Sequence, residues 1–178
     1  SSHVDMPFEI EYAKARNLMA GLPLDSVKPR ETDCELPAYS TVPFRDVMNA
    51  AFEHLVKWIR DETPPPIAQR LQVLKALPSV EFARDRFGNV LGGIRLAEHA
   101  VPTARNTGMN SGTNNRFCFL YGSHEPFSQE QLQSLYSSRN AYVQAVRRVV
   151  QENLSAGYIL PYAAARTIEE AQMRYIGR

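Results

Sequence analysis

Apolar side chains recur at steps of three and four residues along much of this chain, which is the spacing of one face of an α-helix. The clearest case lies over residues 43–63, where Pro43 suits the first helical turn and Thr63 precedes three prolines that cannot continue a helix. A shorter amphipathic pattern over 8–19 predicts a short helix within residues 1–30. The apolar stripe of the longer helix consists of Val47, Ala51, His54, Leu55, Trp58 and Ile59.

Residues 128–176 form a second region with a helical pattern. Ser128 and Gln131 fit a capping box, so one helix is predicted to begin there. A longer apolar stripe follows over 142–154, and Pro161 is suited to open a last helix. This segment is therefore predicted to be helical.

The middle of the chain has a different pattern. Over 80–96, apolar β-formers flank a polar stretch that contains Gly88, which predicts a β-hairpin. Residues 103–115 are rich in Asn, Thr, Ser and Gly and open a long loop over 103–127, of the kind that often carries function. No alternation of strands and helices occurs that could build a parallel sheet. The predicted fold class is mostly α with one short β-hairpin.

Composition narrows the class of protein. The 178 residues are 44% apolar and 22% charged, which is typical of a single globular domain over 1–178 and not of a disordered or fibrous protein. The 20 basic and 19 acidic side chains give a net charge of +1, which supplies no field for binding nucleic acid or an anionic membrane. No window reaches the ~18 apolar residues of a membrane span, and the first residues do not read as a signal peptide.

The histidines and cysteines offer few candidate sites. His54 lies on or beside an apolar stripe, which favours a structural role, whereas His99 and His124 lie in predicted loops, where solvated surface is the default. No two histidines have metal-ligand spacing, so neither a metal nor a cofactor is expected. Cys34 and Cys118 form no C-x-x-C motif. Free thiols and one long-range disulfide both stay open for them, and composition favours free thiols.

A series of short segments carries a further signal through its order and spacing. The series opens with Ser2-His3-Val4-Asp5 and continues with Cys34, residues 49–59, 63–66, 84–89, 92–96, 101–104, 118–123, 126–127, 135–136, 142–143 and 156–161. Each segment alone is weak evidence of a relationship to a known family. The ordered set is fairly specific evidence, and it covers nearly the whole chain. In this set the chain resembles one family of esterase-like proteins with an α/β-hydrolase domain.

The resemblance implies that this chain is the C-terminal part of an α/β-hydrolase fold and lacks the central parallel sheet of that fold. The apolar stripes of the helices over 43–60 and 139–156 would then pack against this missing sheet. In that family, the segment similar to Ser2-His3-Val4-Asp5 supplies the histidine of the catalytic triad, which would be His3. Since the triad runs Ser, acid, His along the chain, the nucleophile and the acid would precede residue 1. No G-x-S-x-G motif occurs in the 178 residues, in agreement with this order.

The implied activity is serine-hydrolase chemistry on a small-molecule carboxylic ester, by acyl transfer. The implied partner is the N-terminal part of the same hydrolase, either covalently joined or as a separate chain, and this chain alone would be inactive. Members often look exported and carry cysteine where Cys34 and Cys118 lie, which implies a periplasmic or secreted protein and leaves a disulfide and free thiols equally open. The Asn-rich and Gly-rich loop over 103–115 would lie at or near the substrate cleft.

Several alternatives stay open beside this interpretation. The chain could be a non-catalytic helical interaction module that keeps hydrolase-like packing, or a naturally processed subunit. The start Ser1-Ser2-His3 could also be a vector scar, and a histidine so close to a terminus is more often frayed than catalytic. Asp5 is a poor candidate for the triad acid, because a residue two positions along the same loop rarely folds back under the ring. Arg95 could pair with a carboxylate near the site, but a structural salt bridge is favoured.

Overall fold

The structure is a computed structural model that describes residues 5–25, 27–112 and 117–176. Its helices are α1 (Met6–Met19), α2 (Phe44–Asp61), α3 (Ala97–Ala100), α4 (Cys118–Tyr121), α5 (Gln129–Leu135), α6 (Arg139–Ser155) and α7 (Pro161–Met173). Its strands are β1 (Val73–Lys75), β2 (Glu81–Phe82), β3 (Ala104–Thr107) and β4 (Ser123–Pro126). The fold class predicted from the sequence, mostly α with very little β-structure, is confirmed.

The strands form two separate sheets of two strands each, β1 with β2 and β3 with β4. The predicted hairpin over 80–96 differs from the structure. It is present around its turn, where an isolated antiparallel bridge joins Arg84 and Val90, while β2 pairs antiparallel with the preceding strand β1. The second arm does not continue as a strand, because Gly92 has a φ of 79° and packs so closely that a Cβ there would lie 2.2 Å from the carbonyl oxygen of Arg70.

The predicted loop over 103–127 contains β3, α4 and β4, apart from residues 113–116, which lie outside the described residues. These elements are four residues long, too short to show any periodicity in the sequence. Polar side chains hold the intervening chain in place. The Asn110 side-chain amide donates to the carbonyl oxygens of Leu36 at 3.0 Å and Gly122 at 2.8 Å.

By its contacts the chain divides into two compact units. Unit 1 comprises residues 1–45 and 106–125, and unit 2 comprises residues 46–105 and 126–178. In unit 1, the backbone amide of Met6 donates to the carbonyl of Ser40 at 2.8 Å, and the amide of Ser40 donates to the carbonyl of Tyr121 at 3.1 Å. These bonds join α1, the extended segment around residue 40 and α4.

Unit 2 is centred on the packing of α6 against α7. The apolar stripe of α6 is buried, and the alanines of α7 that are buried allow the two helices to approach closely. The expectation that the stripe over 139–156 waits for a sheet outside this chain is therefore wrong for α6, because α7 covers it. The buried residues are Tyr142, Val143, Val146 and Val150 on α6, and Ala163, Ala164 and Ala171 on α7.

Helix α2 behaves differently from α6. Its ends match the prediction over 43–63 closely, and its sequence is strongly amphipathic, yet of its side chains only Asp46 and Ala50 are buried. Its attachments within unit 2 are polar: Asp46 pairs with Arg166, and Asn49 donates to the Tyr162 hydroxyl at 2.6 Å. The side chains that we call the α2 apolar face are exposed, and they are Phe52, Leu55, Val56, Trp58 and Ile59. No helix in the described part of the chain is long and apolar enough to cross a membrane.

Candidate functional site

The predicted catalytic residue, His3, lies outside the described residues, and the description begins two positions later at Asp5. Asp5 is 3% exposed and caps α1: its Oδ1 accepts a hydrogen bond from the backbone amide of Phe8 at 2.8 Å. Its Oδ2 accepts from the backbone amide of Phe44, also at 2.8 Å. The chain immediately after His3 is thereby anchored at two points of unit 1.

These two bonds give Asp5 a structural role. Each oxygen of its carboxylate already holds a backbone N–H group, one at the start of α1 and one 39 positions further along the chain. Asp5 therefore fixes the position of the chain, because it cannot move without breaking these two hydrogen bonds.

Replacing Asp5 with alanine should therefore destabilise the protein by about 1 to 2 kcal/mol, because α1 loses its N-cap and the Phe44 amide keeps only the carbonyl of Val42 as an acceptor. Asp5→Asn keeps an acceptor oxygen for the cap and should recover more than half of that loss. Urea unfolding measures both values. Asp25→Ala, at an exposed aspartate in a turn, is the control. A loss below about 0.5 kcal/mol for Asp5→Ala, the range of ordinary surface substitutions, would contradict the anchoring role.

A buried polar network lies elsewhere in unit 1. Asn106 is 3% exposed, and its Oδ1 accepts from the backbone amide of Thr41 at 2.9 Å and from the Thr41 hydroxyl at 3.1 Å. Nδ1 of His124 lies 3.2 Å from the same oxygen and 3.1 Å from Thr41 Oγ1. The expectation of a solvated His124 is therefore wrong. Its ring belongs to a hydrogen-bonded network, and His124 itself lies on β4. The sequence pattern does not indicate this network, because it predicts a loop over these residues.

The other two described histidines lie in unit 2. Nε2 of His54 is 2.8 Å from the carbonyl oxygen of Gly157, which confirms its predicted structural role. The expectation of a solvated surface is wrong for His99. It lies on the short helix α3, and burial lowers its pKa to about 4, with the Arg95 charge adding to the effect. His99 is therefore neutral at pH 7, and its backbone carbonyl is used as an acceptor by Arg95.

Arg95 forms the structural salt bridge that the sequence favoured. Its Nη2 lies 2.7 Å from Oδ2 of Asp85 and also donates to the carbonyl oxygen of His99 at 2.7 Å, while Nη1 donates to the carbonyl of Val90. Asp85 in turn accepts the backbone amides of Phe87 and Asn89, at 2.9 and 3.0 Å, through its other oxygen. The pair therefore holds the 85–89 turn in shape.

Cys34 and Cys118 form a disulfide, with their Cα atoms 5.6 Å apart and 84 positions between them in the sequence. The alternative of free thiols, which composition favoured, is wrong. The bridge links the extended segment around residue 34 to the start of α4 within unit 1. Gly112 packs against it so closely that a Cβ there would lie 2.7 Å from Cys118 Sγ, which explains why this position has no side chain.

Unit 1 contains a cavity of about 280 Å³ that the sequence pattern does not predict. It is lined by four aromatic side chains, by Leu120, and by two charged residues, Glu9 and Arg30. Glu9 looks like an ordinary exposed charge of an amphipathic helix, yet it is 4% exposed. Since Arg30 is 21 positions away, no local spacing indicates that the two residues meet.

Buried ionisable groups also occur in unit 2. Glu98 on α3 has an oxygen, Oε2, that is buried and makes no hydrogen bond to the described residues. Burial raises the pKa of Glu98 to about 7, and the nearby acids Glu170 and Asp46 add to the shift. Across the described ranges, no three His, Cys, Asp or Glu side chains are grouped so that they could hold a metal ion.

Comparison with known protein families gives a match over nearly the whole chain. The model of a family described as alpha/beta hydrolase domain matches residues 1–169, which is nearly the whole chain and includes His3. No curated protein and no solved structure matches.

Proposed function

Because the chain belongs to the alpha/beta hydrolase domain family, we propose that it is the C-terminal part of a serine hydrolase that acts on carboxylic esters, and that His3 is its triad histidine. The observation that carries this proposal is that the family match begins at residue 1 and so includes His3. In such folds the triad residues occur in the order Ser, acid, His. The nucleophile and the acid then belong to an N-terminal part, which is the proposed partner of this chain.

The proposed chemistry is acyl transfer. His3 accepts the proton of the serine hydroxyl as that oxygen attacks the ester carbonyl, and it then gives the proton to the leaving alkoxide. A water molecule activated by the same imidazole releases the acyl group from the serine. A carboxylate on the other ring nitrogen fixes the tautomer of His3 and stabilises the imidazolium that forms between the two transfers.

The hydrogen bonds of Asp5 support the proposed role of His3, because they fix the backbone two positions further along the chain. A general base has to lie within about 3 Å of the hydroxyl whose proton it takes, so the backbone that carries it has to be fixed. Both carboxylate oxygens of Asp5 hold backbone amides, and the amide of the next residue, Met6, donates to Ser40.

The α2 apolar face supports an N-terminal part as partner. Trp58 is 53% exposed and Ile59 is 77% exposed, although both lie on the apolar stripe of an amphipathic helix. A cluster of large apolar side chains on one helix face marks an interaction surface. The proposed occupant is the parallel sheet of the N-terminal part, against which helices of α/β proteins bury such stripes. The Asn-rich and Gly-rich segment over 103–115 is proposed to border the substrate cleft.

The disulfide supports export. Disulfide bonds persist in the periplasm or outside the cell and are rare in reducing compartments. Cys34 and Cys118 are bonded, and no described cysteine is free. We therefore propose that this hydrolase is periplasmic or secreted.

The test of this function compares the chain alone with the chain joined to its N-terminal part. The joined protein should hydrolyse short p-nitrophenyl esters, and the chain alone should show no more turnover than a heat-denatured sample. A joined protein that is folded but inactive on a panel of esters would overturn the proposal and favour a helical interaction module. Turnover by the chain alone would also contradict it, since the nucleophile is assigned outside these 178 residues.

A further inference from the structure

We propose that the cavity of unit 1 binds a small organic ammonium ion, with the charge recognised by the buried carboxylate of Glu9 and by the aromatic rings around it. This inference concerns a binding site that the proposed ester chemistry does not use. It rests on described residues of unit 1 alone, and its test does not measure hydrolysis.

Glu9 is the centre of the site. Its side chain is 5% exposed, and its Oε1 accepts a hydrogen bond from the backbone amide of Arg30 at 3.1 Å. The Arg30 guanidinium is nearest through Nε, which lies 3.9 Å from the same oxygen, an ion-pair distance that is too long for a hydrogen bond. A carboxylate removed from water in this way is only partly compensated, and an N–H⁺ donor brought into the cavity would complete its hydrogen bonding.

The walls of the cavity suit a cation with an apolar body. Phe8 and Tyr12 are stacked on α1, with ring centroids 6.4 Å apart and planes within 8° of parallel. Phe117 and Tyr121 complete the aromatic lining. Ring faces carry negative charge density and attract ammonium and guanidinium groups. The carbon Cζ of Arg30 lies 5.9 Å from the Tyr12 ring centroid, so a cation already occupies the edge of this surface.

The two charges of the cavity are not equivalent. The Arg30 side chain is 52% exposed, so water screens it, whereas the Glu9 side chain is shielded from water and its field acts more strongly on a ligand in the cavity. Tyr39 adds no second negative charge. Its hydroxyl is buried without a hydrogen-bond partner in the described part of the chain, and burial raises its pKa to about 12, with Glu9 adding to the shift. The shielded carboxylate of Glu9 is therefore the charge that a cationic ligand would meet most strongly.

Size limits the ligand to a small molecule. At about 280 Å³, the cavity is slightly smaller than the roughly 300 Å³ at which the range of ligand pockets begins. An alkylammonium or arylalkylammonium ion with one ring fits this description. Such a ligand would place its ammonium group beside Glu9 and displace the Arg30 guanidinium from the Tyr12 ring toward solvent.

The test uses three probes with the same apolar body and different charge: phenethylammonium, 2-phenylethanol and phenylacetate. Calorimetric titration of the full chain at pH 7 should show that phenethylammonium binds about tenfold or more tightly than either of the others, the gain expected from one charge-assisted hydrogen bond. Glu9→Gln keeps an acceptor for the Arg30 amide and should abolish this preference. Glu11→Gln is the matched control, because Glu11 lies on the same helix with its side chain 55% exposed and paired with Lys14.

Arg30→Ala provides an independent check that does not alter the buried carboxylate. Removing the competing cation should leave phenethylammonium affinity unchanged or raise it. Equal binding of the three probes, preference for phenylacetate, no binding of any probe, or loss of phenethylammonium binding in Arg30→Ala would each overturn the proposal. Circular dichroism of each variant confirms that the fold is kept, and the Arg30→Ala result decides the question if Glu9→Gln does not fold.

Discussion

Replacing His3 with alanine in the joined protein should lower kcat/KM for ester hydrolysis by about 10⁶-fold, the scale of loss seen when a triad loses its base. The reason is specific to the proposed role. Without an imidazole, the serine hydroxyl keeps its proton during attack and the leaving alkoxide has no proton donor. The measurement is the initial rate on a p-nitrophenyl ester over a range of substrate concentrations. Binding of the ester uses other groups, so KM should change far less than kcat.

Two controls separate a catalytic role of His3 from a structural one. Imidazole added to the His3→Ala protein should restore part of the rate, since it can take the place of the missing side chain, whereas a merely misfolded site would not respond. Gln151→Ala removes an exposed side-chain hydrogen bond to Ser155 on α6 and should leave the rate within twofold. Full activity of the His3→Ala protein would end the proposal that His3 is the catalytic base.

Removing the disulfide should have the largest effect on stability. A bridge across 84 positions restricts the unfolded chain enough to stabilise the fold by about 4 to 5 kcal/mol in the chain-entropy treatment. Because single domains have stabilities of about 5 to 15 kcal/mol, this loss would unfold a large share of molecules near physiological temperature. The measurement is guanidinium unfolding of the natural protein with and without dithiothreitol.

The matched control for that measurement is a protein with both Cys34→Ser and Cys118→Ser. Its free energy of unfolding should be as low as that of the reduced protein, and dithiothreitol should not change it further. A difference below about 1 kcal/mol between oxidised and reduced protein, far less than chain entropy predicts, would show that the bridge does not hold unit 1 together.

The parts of the fold that local chemistry determines could be predicted from the sequence. Helix α2 was placed within two residues of its observed ends because Pro43 and the prolines after Thr63 mark its limits. The capping box of α5 was also predicted, and both of its hydrogen bonds are present. Element ends of this kind depend on the backbone and on side chains within one turn, so they are visible without knowledge of the fold.

The parts that depend on distant neighbours could not be predicted. The burial of an amphipathic stripe is one example. The apolar stripe of α6 is covered by α7, whereas the α2 apolar face stays exposed. The two charged residues of the cavity, Glu9 and Arg30, are another, because the pair forms only once the chain has folded back over 21 positions. The polar network of His124 was missed for the same reason, since its partner Thr41 is 83 positions away.

For the candidate site, the sequence indicates the residue and the family, and the structure describes the chain from Asp5 onward. His3 was identified by the segment around it and by the order of similar segments that follow. What the sequence could not show is that Asp5 is buried and bonded to the amides of Phe8 and Phe44, because Phe44 is 39 positions away. That anchoring fixes the position of the chain at Asp5.

The most direct test of the central claim is covalent labelling of the nucleophile. A fluorophosphonate reacts with a serine hydroxyl only when a neighbouring base activates it, and peptide mass spectrometry locates the adduct. In the joined protein the adduct should lie on a single serine that precedes Ser1, and it should be lost in the His3→Ala protein. An adduct on a serine within these 178 residues, or undiminished labelling without His3, would contradict the account.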